Sequence, residues 1–221
     1  MRLSRASPAR SKRRPQRRER AALSWFYVFA AGFCRFVLRL GWRFRTIHSE
    51  RVPPAGPVIL AANHVSYFDP PALACGLKRP VHYMAKERLF RIPIFGTIIR
   101  WCYAYPVDRS RGDVGAIKRS VEVLRTGAVV GVFPEGTRNK SGTIEPQGGV
   151  ALLHKLSGAP IVPAYIAGTA DWRRFGRVQV VYGEPFRLQQ PGEKASREDL
   201  AKWTGEIMKR ITALRETLGA D

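Results

Sequence analysis

Residues 60–74 read LAANHVSYFDPPALA, a strand-like run that stops on Asn63 and His64 and places Asp69 five positions after the histidine, directly before two prolines. A neutral imidazole, with an ordinary pKa near 6.5, accepts a hydroxyl proton around neutral pH. It does so repeatedly only in one tautomer, which a carboxylate on the other ring nitrogen secures. The turn between His64 and Asp69 is long enough to fold such a carboxylate back towards the ring. The same spacing also describes helix capping, since Asp before Pro suits a first helical turn and Ser66 offers a second cap. Taken alone, the stretch leaves both readings open.

A second stretch, FPEGTRNKSG at 133–142, follows another buried strand and sets Glu135, Gly136, Thr137 and Arg138 in succession. Glycine lets a backbone approach a ligand closely. Arginine forks two hydrogen bonds to a phosphate. A surface turn closed by a salt bridge is the plainer alternative.

The elements that must carry these stretches alternate between strands and helices. Residues 58–62, 81–84, 128–133, 161–168 and 177–182 read as strands, the fourth as an edge strand because Pro163 cannot donate to a ladder. Residues 70–77, 113–125, 149–156 and 196–218 read as helices; in the second, Val114, Ile117, Val121 and Leu124 keep the three-to-four spacing after a capping Asp113. This alternation predicts one α/β domain with a largely buried mixed sheet flanked by helices.

The 221 residues are 45% hydrophobic, enough for a sizeable core, and their net charge is +21. That charge narrows the partners to nucleic acid, an anionic membrane surface or phosphorylated substrates. Cys34, Cys75 and Cys102 match no metal or disulfide spacing and read as small core residues in a reducing compartment. The basic excess gathers in residues 1–20, a block read as a disordered tail. Residues 21–45 follow with Trp25, Phe26, Tyr27, Phe29, Phe33 and Trp42, while Arg35, Arg39 and Arg43 recur every fourth position. A basic stripe beside an aromatic surface predicts a helix or helical hairpin in the membrane interface, with arginines reaching lipid phosphates. The aromatic neighbourhood favours lipid over nucleic acid as the partner. A charged tail with a core helix, in a non-enzymatic basic protein that binds membrane or nucleic acid, is the contrasting class.

Together the motifs resemble the glycerolipid acyltransferase family typified by 1-acyl-sn-glycerol-3-phosphate acyltransferases. The chain matches its His-four residues-Asp motif at His64 and Asp69. Lys86, Leu89, Pro93 and Gly96, running on to Asp108 and Arg109, match the second motif. Glu135–Arg138 match the third, and Ile161, Val162 and Pro163 the fourth. The resemblance covers roughly residues 46–189 and implies an acyltransferase domain over 46–221.

It further implies transfer of a fatty acyl group from acyl-CoA or acyl carrier protein to the sn-2 hydroxyl of lysophosphatidic acid, giving phosphatidic acid. His64 is then the general base and Asp69 its orienting carboxylate. Lys86, Arg109, Glu135, Gly136, Thr137 and Arg138 bind substrate. The thioester is already activated, so neither cofactor nor metal is expected. Lyso-ornithine lipid, another lysophospholipid and glycerol 3-phosphate are the alternative acceptors. The expected location is the cytoplasmic face of a bacterial inner membrane. Ile92, Ile94, Phe95, Ile98, Ile99 and Trp101 are either core or the lining of an acyl tunnel.

Overall fold

The computed structural model describes residues 16–107, 114–139, 141–188 and 196–219. Seven strands form one sheet: β1 (Arg45–Ile47), β2 (Val58–Ala62), β3 (Val81–Lys86), β4 (Ala104–Val107), β5 (Val129–Val132), β6 (Ile161–Ala167) and β7 (Gln179–Tyr182). Their order is β1-β7-β6-β2-β5-β3-β4, parallel throughout except where β6 meets β7. The helices are α1 (Gln16–Trp42), α2 (Asp69–Cys75), α3 (Phe95–Trp101), α4 (Val114–Arg125), α5 (Gly149–Ser157) and α6 (Arg197–Ala213). The mixed sheet between helical layers is the α/β architecture expected.

Strand β2 runs through the middle of the sheet with all five residues buried. Because side chains alternate across a strand, it feeds two cores. Val58, Leu60 and Ala62 pack with Leu38 of α1 and with Ala72 and Leu73 of α2. Ile59 and Ala61 pack with Leu124 of α4, Leu153 of α5 and Ile207 and Ile211 of α6. A strand apolar on both faces is what a sheet covered on both sides requires. Helix α6 starts on a capping box in which Ser196 and Asp199 satisfy each other's backbone amides.

Four expectations are corrected. β6 is interior, between β7 and β2, although it carries Pro163. The proline is tolerated because its carbonyl faces Gly183, beyond the last β6–β7 rung at Ala164 and Tyr182, so the missing amide falls where that ladder ends. β1 and β4 escaped the sequence reading: each is short, and β4 holds Pro106 on the outermost strand. The last helix ends at Ala213 and passes into a 3-10 turn at Glu216–Gly219. Finally, residues 16–20 of the basic block are helical, and α1 is one continuous helix; residues 1–15 and Asp113 lie outside the described residues.

Helix α1 packs Tyr27 and Leu38 inward and turns Phe29, Phe33, Phe36 and Leu40 out. Arg35 departs from the expected lipid-facing stripe. Its guanidinium donates to the carbonyls of Cys75 (2.7 Å) and Leu77 (3.1 Å), closing the C-terminal end of α2. Arg39 and Arg43 stay exposed. The stretch 92–101 is neither sealed core nor wholly tunnel: Ile94 is 78% exposed, whereas Phe95 and Ile99 reach the cavity described below. α3 lies beside α1, with Phe26 and Trp101 edge to face at 4.5 Å, so their outer surfaces stay uncovered.

On β3, burial, assisted by the charge of Arg119, pushes His82 from 6.5 down to about 4. Such a histidine binds fewer protons folded than unfolded, so acid favours unfolding. Its contribution is complete above the ordinary histidine value and disappears as pH falls towards 4. Urea unfolding should therefore show a loss of about 2 kcal/mol between roughly pH 7 and pH 5, which His82→Phe abolishes. An equal pH dependence in that variant would contradict the assignment.

Candidate active site

Why the strand stops on Asn-His is visible at the end of β2. The last backbone rung to β6 joins Ala62 and Ala164. Beyond it the Asn63 side chain acts as a further rung: its Nδ2 donates to the Ile166 carbonyl (2.9 Å) and its Oδ1 accepts from the Ile166 amide (2.7 Å). The amide thus replaces backbone pairing and releases the main chain to turn at His64.

There His64 Nδ1 and Asp69 Oδ2 are 2.8 Å apart. The same oxygen accepts the backbone amides of Val65 (2.6 Å) and Ser66 (2.7 Å). The other, Oδ1, accepts from Thr169 Oγ1 at 2.5 Å. Asp69 has no exposed surface. Its bonds run to amides before the helix, and no side chain caps α2, so the capping reading gives way. Ser66 Oγ receives the Phe68 amide at 3.3 Å instead. An ionised carboxylate only accepts, which puts the proton on Nδ1 and the lone pair of a neutral His64 on Nε2.

The loop after β5 lies against this pair. The Asn139 amide donates to the His64 carbonyl (2.7 Å), tying the two stretches together. The Phe133 ring stacks on the imidazole at 4.2 Å and 21°. Gly136 takes φ +66, where a Cβ would crowd Gln147 Oε1 at 2.9 Å, so the turn needs glycine. Glu135 is buried: it is 4% exposed, and its Oε2 finds no hydrogen-bond partner among the described residues. Burial raises its carboxyl above the usual range, partly offset by the backbone amides of His64 and Glu135. The Arg138 guanidinium sits 3.7 Å from the ring centroid of Tyr67.

All of this borders one cavity of about 690 Å³. His64, Lys86, Gly136, Thr137 and Arg138 line it, and Arg88 adds a third cationic group at its wall. Asp69 and Glu135 stand behind the lining; Arg109 lies outside the described residues. Most of the remaining wall is apolar, and α1, β3 and α3 contribute to it Ala30, Val81, Phe95 and Ile99. The three cysteines, distant in sequence, converge on this wall as free thiols. A hydrogen bond with Cys75 lowers the Cys34 thiol, whereas that bond and burial raise Cys75.

A polar dyad on a mostly apolar cavity that cations also line can deprotonate a hydroxyl while holding an acyl chain and an anionic headgroup. The model of the family described as Acyltransferase matches residues 43–167, more than half of the chain. The chain belongs to the acyltransferase family. It is 30% identical over 196 residues to the 1-acyl-sn-glycerol-3-phosphate acyltransferase of Bacillus subtilis (strain 168), covering 87% of this chain and 98% of that protein. The enzyme of the same name from Pseudomonas aeruginosa is 29% identical over 203 residues, covering 83% and 78%. Among solved structures, the 1-acyl-sn-glycerophosphate (LPA) acyltransferase PlsC of Thermotoga maritima matches with a TM-score of 0.71 and 28% identity, covering 92% of this chain and 83% of that one.

Three residues of this acyltransferase site were missed by sequence reasoning. Asn63 had a local signal, an amide at a strand end beside His64. Phe133 closes the apolar run at 128–133, and nothing in the sequence marks its ring as facing His64. Thr169 had none, since it reaches Asp69 from 100 residues away. Thr169→Val should leave a buried carboxylate oxygen without its donor and cost about 1–3 kcal/mol in chemical unfolding, with Thr169→Ser restoring most of it. If valine is tolerated at no cost, the bond is not holding Asp69.

Proposed function

We propose that this acyltransferase moves a fatty acyl group from an acyl thioester, acyl-CoA or acyl carrier protein, to the sn-2 hydroxyl of lysophosphatidic acid. His64 Nε2 takes the hydroxyl proton as the oxygen attacks the thioester carbonyl. The tetrahedral intermediate then expels the thiolate, which recovers that proton from the imidazolium, so a free thiol and phosphatidic acid leave. Asp69 fixes the tautomer and stabilises the cation formed on His64. The His64–Asp69 pair beside a mostly apolar cavity that Lys86, Arg88 and Arg138 also line carries this reading. The names of the relatives support the acceptor.

Lys86 and Arg138 are proposed to hold the acceptor's phosphate, joined by Arg109. Gly136 and Thr137 shape that end of the cavity, and Glu135 fixes the loop from behind. The apolar wall takes the acyl chain; a volume of this size is typical of ligand sites.

Membrane contact belongs to the same proposal. No helix among the described residues is long and apolar enough to cross a bilayer. Trp25, Phe29, Phe33, Phe36 and Leu40 are nevertheless each more than 60% exposed along α1, an apolar face of the kind that rests in a membrane interface. Residues 1–20 would add attraction to an anionic cytoplasmic leaflet. On this reading 46–221 form the acyltransferase domain and α1 seats it on the bilayer that holds its acceptor and product.

His64→Ala should lower acyl transfer roughly 10³-fold with the circular dichroism spectrum unchanged. Arg138→Ala should raise KM for lysophosphatidic acid at least about 10-fold, the loss of one charge-assisted bond. Assayed against lysophosphatidic acid and lyso-ornithine lipid with radiolabelled acyl-CoA, the enzyme should prefer the first. Preference for the phosphate-free acceptor would overturn the substrate assignment, and undiminished turnover by His64→Ala would overturn the mechanism.

A further inference from the structure

The segment joining β6 to β7 does more than connect them. Its ends are pinched together: Gly168 takes φ +80, and a Cβ there would collide with the carbonyl of Arg177. Just inside one end Thr169 holds Asp69. At the tip a 3-10 turn, Trp172–Arg174, leads into Phe175, which is 63% exposed. Phe175 sits at φ 49, a left-handed conformation that a bulky side chain adopts only under constraint. A large aromatic ring is thus left mostly exposed at a constrained position, the reverse of what core packing would select.

The underside of that ring rests on α1. Phe175 stacks on Trp42 at 5.0 Å and 28°, and its ring atoms lie where a Cβ on Gly41 would touch them. It thus prolongs the exposed apolar stripe that ends on α1 at Leu40. Trp42 in turn lies 5.9 Å from Phe68, the residue directly before Asp69. Exposed arginines flank these residues in sequence: Arg174 and Arg177 beside Phe175, and Arg39 and Arg43 beside the Gly41 and Trp42 that its ring meets, with Asp171 the acid among residues 169–177.

We propose that residues 171–177 form a second membrane-contacting element, in which Phe175 enters the headgroup layer and Arg174 and Arg177, with Arg39 and Arg43, bind anionic lipid phosphates. This rests on the reading that α1 seats the enzyme on a bilayer, and it adds a preference for negatively charged lipid. An exposed aromatic ring on a segment rich in exposed arginines suits the membrane interface, where both kinds of side chain gather. An acidic carrier protein is the other anionic partner of suitable size. It would use the charges but gives no reason for a strained, exposed Phe175 continuous with the α1 stripe. Because Thr169 belongs to the same closed segment, lipid bound at its tip sits on the element that holds the catalytic carboxylate.

The test is vesicle co-sedimentation of the full chain and of the double variant Arg174→Ala, Arg177→Ala. Phosphatidylcholine vesicles are compared with vesicles that also contain phosphatidylglycerol. The variant should bind the phosphatidylglycerol vesicles on the order of 30-fold more weakly, with little change on neutral ones. Arg174→Lys with Arg177→Lys should restore most of the binding, which a purely structural role for the guanidinium groups would not allow. Phe175→Ala should weaken binding to both vesicle types. Acyl transfer to detergent-dispersed acceptor should persist in the double variant; loss of that activity in the unmodified chain would be a failure of the acyltransferase reading, not of this one. Unchanged binding to phosphatidylglycerol vesicles, equal loss on neutral vesicles, or weakened binding to acyl carrier protein with vesicle binding intact would each overturn the proposal.

Discussion

A carboxylate with no exposed surface survives in a folded protein only when its lone pairs are taken up. Asp69 meets that condition with four donors: the ring of His64, the amides of Val65 and Ser66, and the hydroxyl of Thr169. These groups come from the start of the turn that follows β2 and from just beyond the far end of β6. None can move far without stranding a buried charge. The demand for satisfaction therefore positions the imidazole as firmly as it positions the loop. Asn63 secures the same point from the other side by extending the β2–β6 pairing one step beyond the backbone ladder.

The sheet supplies the remaining geometry. Its parallel strands β2 and β5 end side by side, so the loop that carries His64 and the loop that carries Arg138 leave from one edge. A single backbone bond, Asn139 to His64, then fixes their spacing. The apolar wall draws on α1, β3 and α3, and the two helices also leave exposed apolar surface outside. The cavity interior and the outer stripe are two faces of the same helices. That arrangement suits a substrate whose chain lies in a bilayer and whose headgroup does not.

Much of this was legible in the sequence, for identifiable reasons. β2 and β5 announced themselves because strands buried on both faces are apolar without alternation, and α4 and α6 because their apolar spacing is regular. His64 and Asp69 could be paired because only a short turn separates them. What failed was whatever depends on distant contacts. Pro163 suggested an edge, yet its effect depended on where β7 stops pairing. Arg35 looked like its neighbours Arg39 and Arg43 until α2 supplied carbonyls for it to close. Thr169 and the convergence of three cysteines had no local signature.

Nitrogen NMR of the His64 ring, in protein labelled at histidine and assigned through His64→Ala, reads the central claim directly. At a pH where the imidazole is neutral, Nδ1 should appear protonated and Nε2 should carry the lone pair. Asp69→Asn should disturb that distribution. A neutral ring found with its proton on Nε2, or one whose shifts ignore the loss of the Asp69 carboxylate, would contradict the account.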